Sequence, residues 1–300
     1  MRAAALLLLA LGCTPKPPAT TAPTQLPLAL AAGGTVLVGA GDIASCENDD
    51  DEATAQLVEQ VLRMAPGAQV FTLGDNAYER GTAHDFEACY APTWGRFKDR
   101  THPAVGNHEY KSPDAAPYFA YFGKAAGDAG KGWYSWEAGP WHVVVLNSNC
   151  EKVGCARDSE QMQWLAADLD AHASRCTLAY WHHPFISSGS HGNDDALKDA
   201  WQILEDRGVD LVLAGHDHDY ERFAPVTGTR GVDDKNGMRE IIVGSGGRSH
   251  YEIKKTERGS EASNTEHYGV LVLELFDDHY RFRFLGAGGA VEDQGEAACR

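Results

Sequence analysis

The sequence has no excess of basic residues, and beyond its first dozen residues it has no long apolar run. Its 300 residues contain 43 aspartates and glutamates against 26 lysines and arginines, a formal net charge of −17. Binding nucleic acid through its phosphates requires a basic surface that displaces counterions, so this composition excludes that function. An anionic substrate must therefore be attracted locally, for example by bound cations. No later stretch approaches the roughly 20 apolar residues of a transmembrane helix.

The chain begins with a segment typical of exported proteins. Residues 1–12 carry one arginine and a short leucine-rich run that ends in small residues, which predicts a signal peptide. Cys13 follows in a Leu-Gly-Cys sequence that resembles the lipobox of bacterial lipoproteins, so we expect either lipidation of Cys13 or ordinary cleavage nearby. Residues 13–33 have no periodic pattern and predict a tether, which leaves one folded domain over residues 34–300. The expected location is the periplasm, the outer membrane or the medium.

The cysteine count is even once Cys13 is set aside. Six cysteines remain, at positions 46, 89, 150, 155, 176 and 299. In an exported chain such a set predicts disulfides rather than thiol-ligated metal. Cys150 and Cys155 are close enough in sequence to close a small loop around Gly154, and we expect that pair. The remaining pairings stay open.

Strand-like and helix-like segments alternate through the first two thirds of the chain. Residues 35–40 and 70–73 are short apolar strands, and residues 51–64 between them carry apolar side chains at helical spacing. Residues 133–147 predict a hairpin, and a helix begins at Asp158 or Ser159. Further strands are predicted at residues 178–181, 211–213, 240–243, 268–275 and 280–284. The pattern indicates an α/β fold whose last third is an antiparallel sheet.

Oxygen and imidazole donors beside glycines follow the ends of these strands. In chain order the blocks are Gly41-Asp42, Gly74-Asp75-Asn76-Ala77-Tyr78, Gly106-Asn107-His108-Glu109, His182 and Gly215-His216-Asp217-His218. In an α/β protein the loops at the carboxyl ends of strands meet at one edge, so these donors should converge. Their chemistry suits iron, zinc or manganese. The number of donors predicts two metal ions, with Asp75 as the bridging carboxylate.

The ordered blocks resemble the calcineurin-like metallophosphoesterase superfamily. Its motifs run Asp-x-His, Gly-Asp-x-x-Asp, Gly-Asn-His-Asp/Glu, His and Gly-His-x-His. Two positions depart from them: Ala44 stands where the superfamily usually has a histidine, and Tyr78 stands where it usually has a second aspartate. Both departures resemble the purple acid phosphatases. The resemblance implies a four-layer α/β/β/α sandwich of two mixed β-sheets, with the metal site at one end of the sheets.

The resemblance also implies which residues hold each metal. The residues expected on a first ion, Fe(III), are Asp42, Asp75, Tyr78 and His218. Those expected on a second, divalent ion (zinc, manganese or iron) are Asp75, Asn107, His182 and His216. A phenolate at Tyr78 is a hard anionic donor, which favours Fe(III) over Fe(II).

The activity implied is hydrolysis of small phosphomonoesters by attack of a metal-bound hydroxide on phosphorus. Asn107, His108 and His191 match positions that contact the substrate phosphate, and His108 and His191 are also candidates for the general acid. Glu109 is expected to fix its loop rather than take part in the chemistry.

Other interpretations of the same residues remain open at the level of sequence. The donors could be turn and capping residues, Tyr78 could be a packed aromatic, and His108 and His191 could be structural. The same site could serve a phosphodiesterase or a cyclic-nucleotide hydrolase that uses manganese or zinc. The chain could also be a non-catalytic surface lipoprotein that binds phosphate or a partner.

Overall fold

The computed structural model describes residues 28–172 and 176–300. The predicted signal peptide and Cys13 lie outside these ranges. The last residues of the predicted tether lie against the domain, because Leu28 is buried and the backbone N–H of Ala31 donates to the Glu274 carboxylate. Among the described helices, none has both the length and the apolar character that crossing a membrane would need.

Thirteen strands are assigned in the described ranges, and they divide between two sheets. In chain order they are β1 (Thr35–Ala40), β2 (Gln69–Leu73), β3 (Thr101–Ala104), β4 (Tyr134–Ala138), β5 (Trp141–Val145), β6 (Cys176–Tyr180), β7 (Leu211–Ala214), β8 (Tyr220–Phe223), β9 (Arg239–Val243), β10 (Ser260–Asn264), β11 (Gly269–Leu275), β12 (His279–Gly286) and β13 (Val291–Ala298). The first sheet has the order β13-β12-β11-β1-β2-β3, and the second β10-β8-β9-β7-β6-β5-β4. Both contain parallel and antiparallel neighbours, as expected from the resemblance.

The helices lie between the strands in the chain. In order they are α1 (Asp50–Met64), α2 (Ala83–Asp85), α3 (Ala116–Phe122), α4 (Cys150–Val153), α5 (Glu160–Ala171) and α6 (Lys198–Asp206). Short 3₁₀ or π turns occupy Phe86–Tyr90, Trp94–Arg100, Glu109–Lys111, Pro113–Ala115, Gly123–Ala126 and Asp195–Leu197. The Ser159 side chain accepts a hydrogen bond from the backbone N–H of Met162, so α5 begins with the side-chain cap that the sequence predicts.

Alternate residues of the second sheet belong to two hydrophobic cores. Val143 and Val145 of β5 belong to a core shared with the first sheet and α1, whereas Val144 belongs to a core shared with α5 and α6. Successive side chains of a strand point to opposite faces, so the second sheet is covered by the first sheet on one face and by helices on the other. With α1 against the first sheet, the layers follow the order α/β/β/α.

The last third of the chain departs from the antiparallel sheet that its sequence predicts. Strands β11 to β13 extend the first sheet from β1, while β8, β9 and β10 extend the second, and β9 is parallel to β7. The apolar alternation of a strand specifies which of its faces is buried. It does not specify which neighbour the strand joins, and for this reason the sequence pattern missed the division.

Three disulfides join the predicted cysteines. The predicted pair Cys150–Cys155 is present and closes a short loop. The other two are Cys46–Cys89 and Cys176–Cys299, whose partners are 43 and 123 residues apart in sequence. The latter ties the residue after β13 of the first sheet to the first residue of β6 in the second sheet.

Candidate metal centre

The donor blocks meet because their strands run parallel within each sheet. Strands β1, β2 and β3 are parallel neighbours in the first sheet, and β5, β6 and β7 are parallel neighbours in the second. Their carboxyl ends therefore lie at one edge of each sheet. The two edges adjoin, because the backbone N–H of His216 after β7 donates to Asp42 Oδ2 after β1 at 2.8 Å. Three residues there have left-handed backbones, with φ of 59° at Asp42, 47° at Asp75 and 71° at His216. Non-glycine residues adopt this conformation at a cost, and such strain concentrates at functional sites.

The Tyr78 hydroxyl lies at the centre of a first group of donors. It is 2.9 Å from Asp42 Oδ1, 3.1 Å from Asp75 Oδ2 and 3.2 Å from His218 Nε2. His218 Nε2 is also 3.3 Å from Asp42 Oδ1. All four side chains are buried. The structure thus brings together the four residues predicted for the first ion.

His182 lies at the centre of a second group. Its Nε2 is 3.0 Å from Asn107 Oδ1, 3.2 Å from His216 Nδ1 and 3.4 Å from Asp75 Oδ2. Asp75 Oδ2 thus faces both Tyr78 and His182, which is the geometry expected of a bridging carboxylate. The four residues predicted for the second ion are also brought together.

The surroundings of His182 favour a positive charge at this group. The Leu73 carbonyl oxygen, which can only accept, is 2.8 Å from His182 Nδ1, so Nδ1 carries a proton. Its Nε2 faces the oxygens of Asn107 and Asp75. This position therefore favours a positive charge, either a proton on Nε2 or a metal ion in its place. The donor types, imidazole, amide and carboxylate, are those preferred by zinc, manganese and iron.

The electrostatics of Tyr78 and His182 lead to the same conclusion. Burial and the carboxylates of Asp42 and Asp75 raise the pKa of Tyr78 well above its ordinary value. Burial lowers the pKa of His182, but Asp75 and Asp42 outweigh it and raise that pKa to about 9. An ionised Tyr78 therefore needs a nearby positive charge.

Two glycines allow the loops to approach one another this closely. A Cβ on Gly106 would overlap Asp75 Oδ1, and a Cβ on Gly215 would lie 2.6 Å from Asp42 Oδ2. Any side chain at either position would push a carboxylate out of place. The glycines in the sequence blocks therefore reflect close packing around the carboxylates.

Glu109 supports the Asp75 loop, as the sequence predicted. It is fully buried, and its carboxylate accepts hydrogen bonds from the backbone N–H groups of Asp75, Asn76, Ala77 and Gly106 at 2.7–3.3 Å. One side chain therefore fixes the loops that follow β2 and β3.

Asp217 performs a similar task that sequence reasoning missed. Its carboxylate accepts from the Ser187 hydroxyl at 2.5 Å and from the backbone N–H groups of His191 and Gly192 at 2.8 and 3.3 Å. It thereby holds the loop that carries His191. The only sequence signal was an acid between two predicted ligands, in Gly-His-Asp-His.

His108 and His191 border the donor groups from different loops. The backbone N–H of His108 donates to Asp75 Oδ1 at 2.7 Å, and its Nε2 is 3.8 Å from Asp75 Oδ2. The His191 ring lies 4.1 Å from the His216 ring. Lys111 Nζ lies 2.8 Å from His108 Nε2, which adds a positive charge at the rim.

A family model described as calcineurin-like phosphoesterase matches residues 36–220, more than half of the chain. The chain belongs to this family. Purple acid phosphatase 15 of Arabidopsis thaliana is 27% identical over 231 residues, covering 65% of this chain and 42% of that protein. Phosphoenolpyruvate phosphatase of Allium cepa is 27% identical over 256 residues, covering 72% of this chain and 51% of that protein.

A solved structure confirms the fold of this calcineurin-like phosphoesterase. Purple acid phosphatase PPD1 from yellow lupin (Lupinus luteus) seeds superposes with a TM-score of 0.71 at 19% identity, covering 88% of this chain and 53% of that one. At this identity the likeness establishes the fold alone. The chain spans about half or less of the length of the curated relatives described above.

Proposed function

We propose that this calcineurin-like phosphoesterase hydrolyses small phosphomonoesters at a pair of metal ions. The observation that carries the proposal is the position of Asp75, whose Oδ2 lies 3.1 Å from the Tyr78 hydroxyl and 3.4 Å from His182 Nε2. One carboxylate oxygen between two groups of donors is what a bridged dinuclear site requires. Similarity to proteins named as purple acid phosphatases supports the same activity.

The two donor groups would hold different ions. The first ion, Fe(III), would be held by Asp42, Asp75, Tyr78 and His218, and the second, divalent zinc, manganese or iron, by Asp75, Asn107, His182 and His216. The phenolate favours the higher charge at the first position, while the neutral amide and imidazoles suit a divalent ion at the second. Bound there, such a pair activates water for attack on phosphorus and offsets the charge of the phosphoryl group.

The chain's own residues would orient the substrate. Asn107, His108 and His191 border the donor groups and would contact the phosphoryl oxygens. His108 Nδ1 donates to the Glu79 carbonyl at 2.8 Å, so its Nε2 can act as a general acid only in the doubly protonated ring. Burial and Lys111 lower the pKa of His108 against the opposing effect of Asp75, which favours a proton-donating role at acidic pH.

We also propose that the protein works outside the cytoplasm. Three disulfides join its six described cysteines. Such bonds persist in oxidising compartments and are rare in the cytosol. Fractionation of the native host, with detection of the protein in membrane, periplasmic and culture fractions, tests this proposal and the predicted lipid anchor at Cys13.

The test of the activity compares para-nitrophenyl phosphate with its bis-ester across a pH series. We expect the monoester to be preferred. We also expect Asp75→Asn and His216→Ala to lower kcat/KM more than about 100-fold, which exceeds the usual effect of replacing a residue that contacts only a metal ligand. The matched controls are Asp234→Asn and His84→Ala, two exposed residues outside the donor blocks. A preference for the bis-ester would identify a phosphodiesterase, and turnover unaffected by Asp75→Asn would contradict catalysis at this site.

A further inference from the structure

A cavity of about 390 Å³ opens next to the donor group around His182. Its lining includes Asn107, Tyr110, Lys111, Ser148, Lys152 and His183. Asn107 is also a proposed ligand of the second ion, so the cavity is continuous with the metal centre. Its position and size suit the leaving group of a substrate, the alcohol that is released when the phosphoryl group is transferred to water.

His183 is the imidazole in this cavity that the proposed mechanism does not use. Its ring lies 4.4 Å from the His216 ring and 5.0 Å from the His182 ring. Its backbone is fixed, because the indole N–H of Trp181 donates to the His183 carbonyl at 2.7 Å. His183 therefore lies in a defined position between the cavity and the metal centre.

Ser148 determines which nitrogen of His183 carries the proton. The Ser148 hydroxyl oxygen accepts from the backbone N–H groups of His182 and His183 at 3.3 and 3.0 Å, which uses both of its lone pairs. Its one proton is then free for His183 Nδ1, 2.8 Å away. A ring that accepts at Nδ1 is neutral and carries its proton on Nε2. Within residues 28–172 and 176–300, Nε2 has no hydrogen-bonding partner.

We propose that this cavity is the leaving-group subsite, and that the Nε2–H of His183 donates a hydrogen bond to the alcohol part of the substrate. The inference rests on the proposed phosphomonoesterase activity. It assigns no proton transfer to His183, because a neutral imidazole bound at Nδ1 orients and stabilises an oxygen rather than protonating it.

The charges of the lining indicate the class of alcohol. Lys111 and Lys152 are balanced by Glu151 and Asp194 at the same cavity. Besides His183, the remaining polar side chains are hydroxyls and amides, such as those of Tyr110 and Asn149. A cavity lining with no net charge and many hydrogen-bonding groups suits an uncharged polyhydroxy alcohol. The substrates we infer are therefore phosphomonoesters of polyols or sugars.

The test is the substrate preference of His183→Ala and His183→Gln. The probes are glycerol 2-phosphate and para-nitrophenyl phosphate, whose aromatic leaving group needs little stabilisation. We expect His183→Ala to lower kcat/KM about 10-fold for glycerol 2-phosphate, the equivalent of one hydrogen bond, and less than 3-fold for the aromatic ester. His183→Gln, which keeps an N–H donor, should recover part of the loss, and His84→Ala is the control.

Metal content separates this role from a structural one. We expect His183→Ala to bind as much metal as the wild type. Equal losses on both esters, or a loss that follows the loss of metal, would overturn the inference, as would an unchanged preference. A wild-type protein that hydrolyses neither ester would instead overturn the proposed function on which the inference rests.

Discussion

The Tyr78 hydroxyl lies between two buried carboxylates, 2.9 Å from Asp42 Oδ1 and 3.1 Å from Asp75 Oδ2. It carries one proton and can donate it to only one of them at a time. Both carboxylates, together with burial, hold the pKa of Tyr78 well above its ordinary value. An ionised Tyr78 in this position requires a nearby positive charge, which the Fe(III) proposed for this group would supply.

The first prediction is the colour of the protein and its dependence on Tyr78. With Fe(III) bound, a phenolate ligand gives visible absorption, and we expect Tyr78→Phe to abolish that band while keeping the ring that packs 4.4 Å from His108. Absorption spectra with iron analysis of the same samples check this. Tyr251→Phe is the control, because Tyr251 stacks 4.1 Å from His218 but contacts neither carboxylate in the structure. A band that persists in iron-loaded Tyr78→Phe would mean that Tyr78 is not the ligand.

The second prediction concerns Glu109. Glu109→Ala would leave four buried backbone N–H groups without an acceptor, each costing about 1–3 kcal/mol, so we expect a strongly destabilised protein that has lost metal. Glu109→Gln keeps one acceptor oxygen and should lie between Glu109→Ala and the wild type. Urea denaturation and metal analysis measure both effects. Glu87→Ala, at an exposed glutamate, is the control, and a Glu109→Ala protein of wild-type stability would show that the loops do not depend on this carboxylate.

Sequence reasoning succeeded for residues that directly follow a strand. Asp42, Asp75, Asn107, His182 and His216 each follow an apolar segment, so their convergence could be predicted from the topology of parallel strands. The short Cys150–Cys155 loop could likewise be predicted from spacing alone.

Sequence reasoning failed where the role of a residue depends on a contact with a residue distant in sequence. Asp217 could not be identified as the support of His191 because the two lie 26 residues apart. The orientation of His183 depends on Ser148, 35 residues earlier. The long-range disulfides and the division of the last strands between two sheets depend on tertiary packing in the same way.

The third prediction is that Asp51 lowers the stability of the folded protein as the pH rises. This carboxylate is buried in the first turn of α1 and accepts from the Thr93 hydroxyl at 2.6 Å. Burial raises its pKa to about 6, so between pH 4 and 6 the folded state binds more protons than the unfolded state. Stability from this group is therefore present below pH 4 and is lost as the pH rises through 6.

Asp51→Asn removes that charge and should stabilise the protein more at pH 8 than at pH 5, by about 1.4 kcal/mol. Thermal melts of the mutant and the wild type at both pH values measure the difference. Asp49→Asn, at the exposed N-cap of the same helix, is the control. An Asp51→Asn effect that is equal at the two pH values would show that the carboxyl titrates normally.

The fourth prediction ranks two disulfides by the loops they close. Cys176–Cys299 joins residues 123 apart and Cys150–Cys155 residues 5 apart. The chain-entropy model gives about 5 kcal/mol for the long loop and about 2 kcal/mol for the short one. Replacing both cysteines of a pair by serine should therefore lower the Tm more for Cys176–Cys299. The reverse order, measured by calorimetry in non-reducing buffer, would contradict this ranking.

The measurement that tests the central claim most directly is the metal content of the protein purified without added metal, followed by phosphatase assays after chelation and reconstitution. We predict two metal ions per chain, one of them iron, with activity that disappears on chelation and returns when the ions are restored. Asp75→Asn should fail to retain the pair. A well-folded wild-type protein that neither contains nor takes up metal, or that stays active after complete chelation, would contradict the dinuclear account.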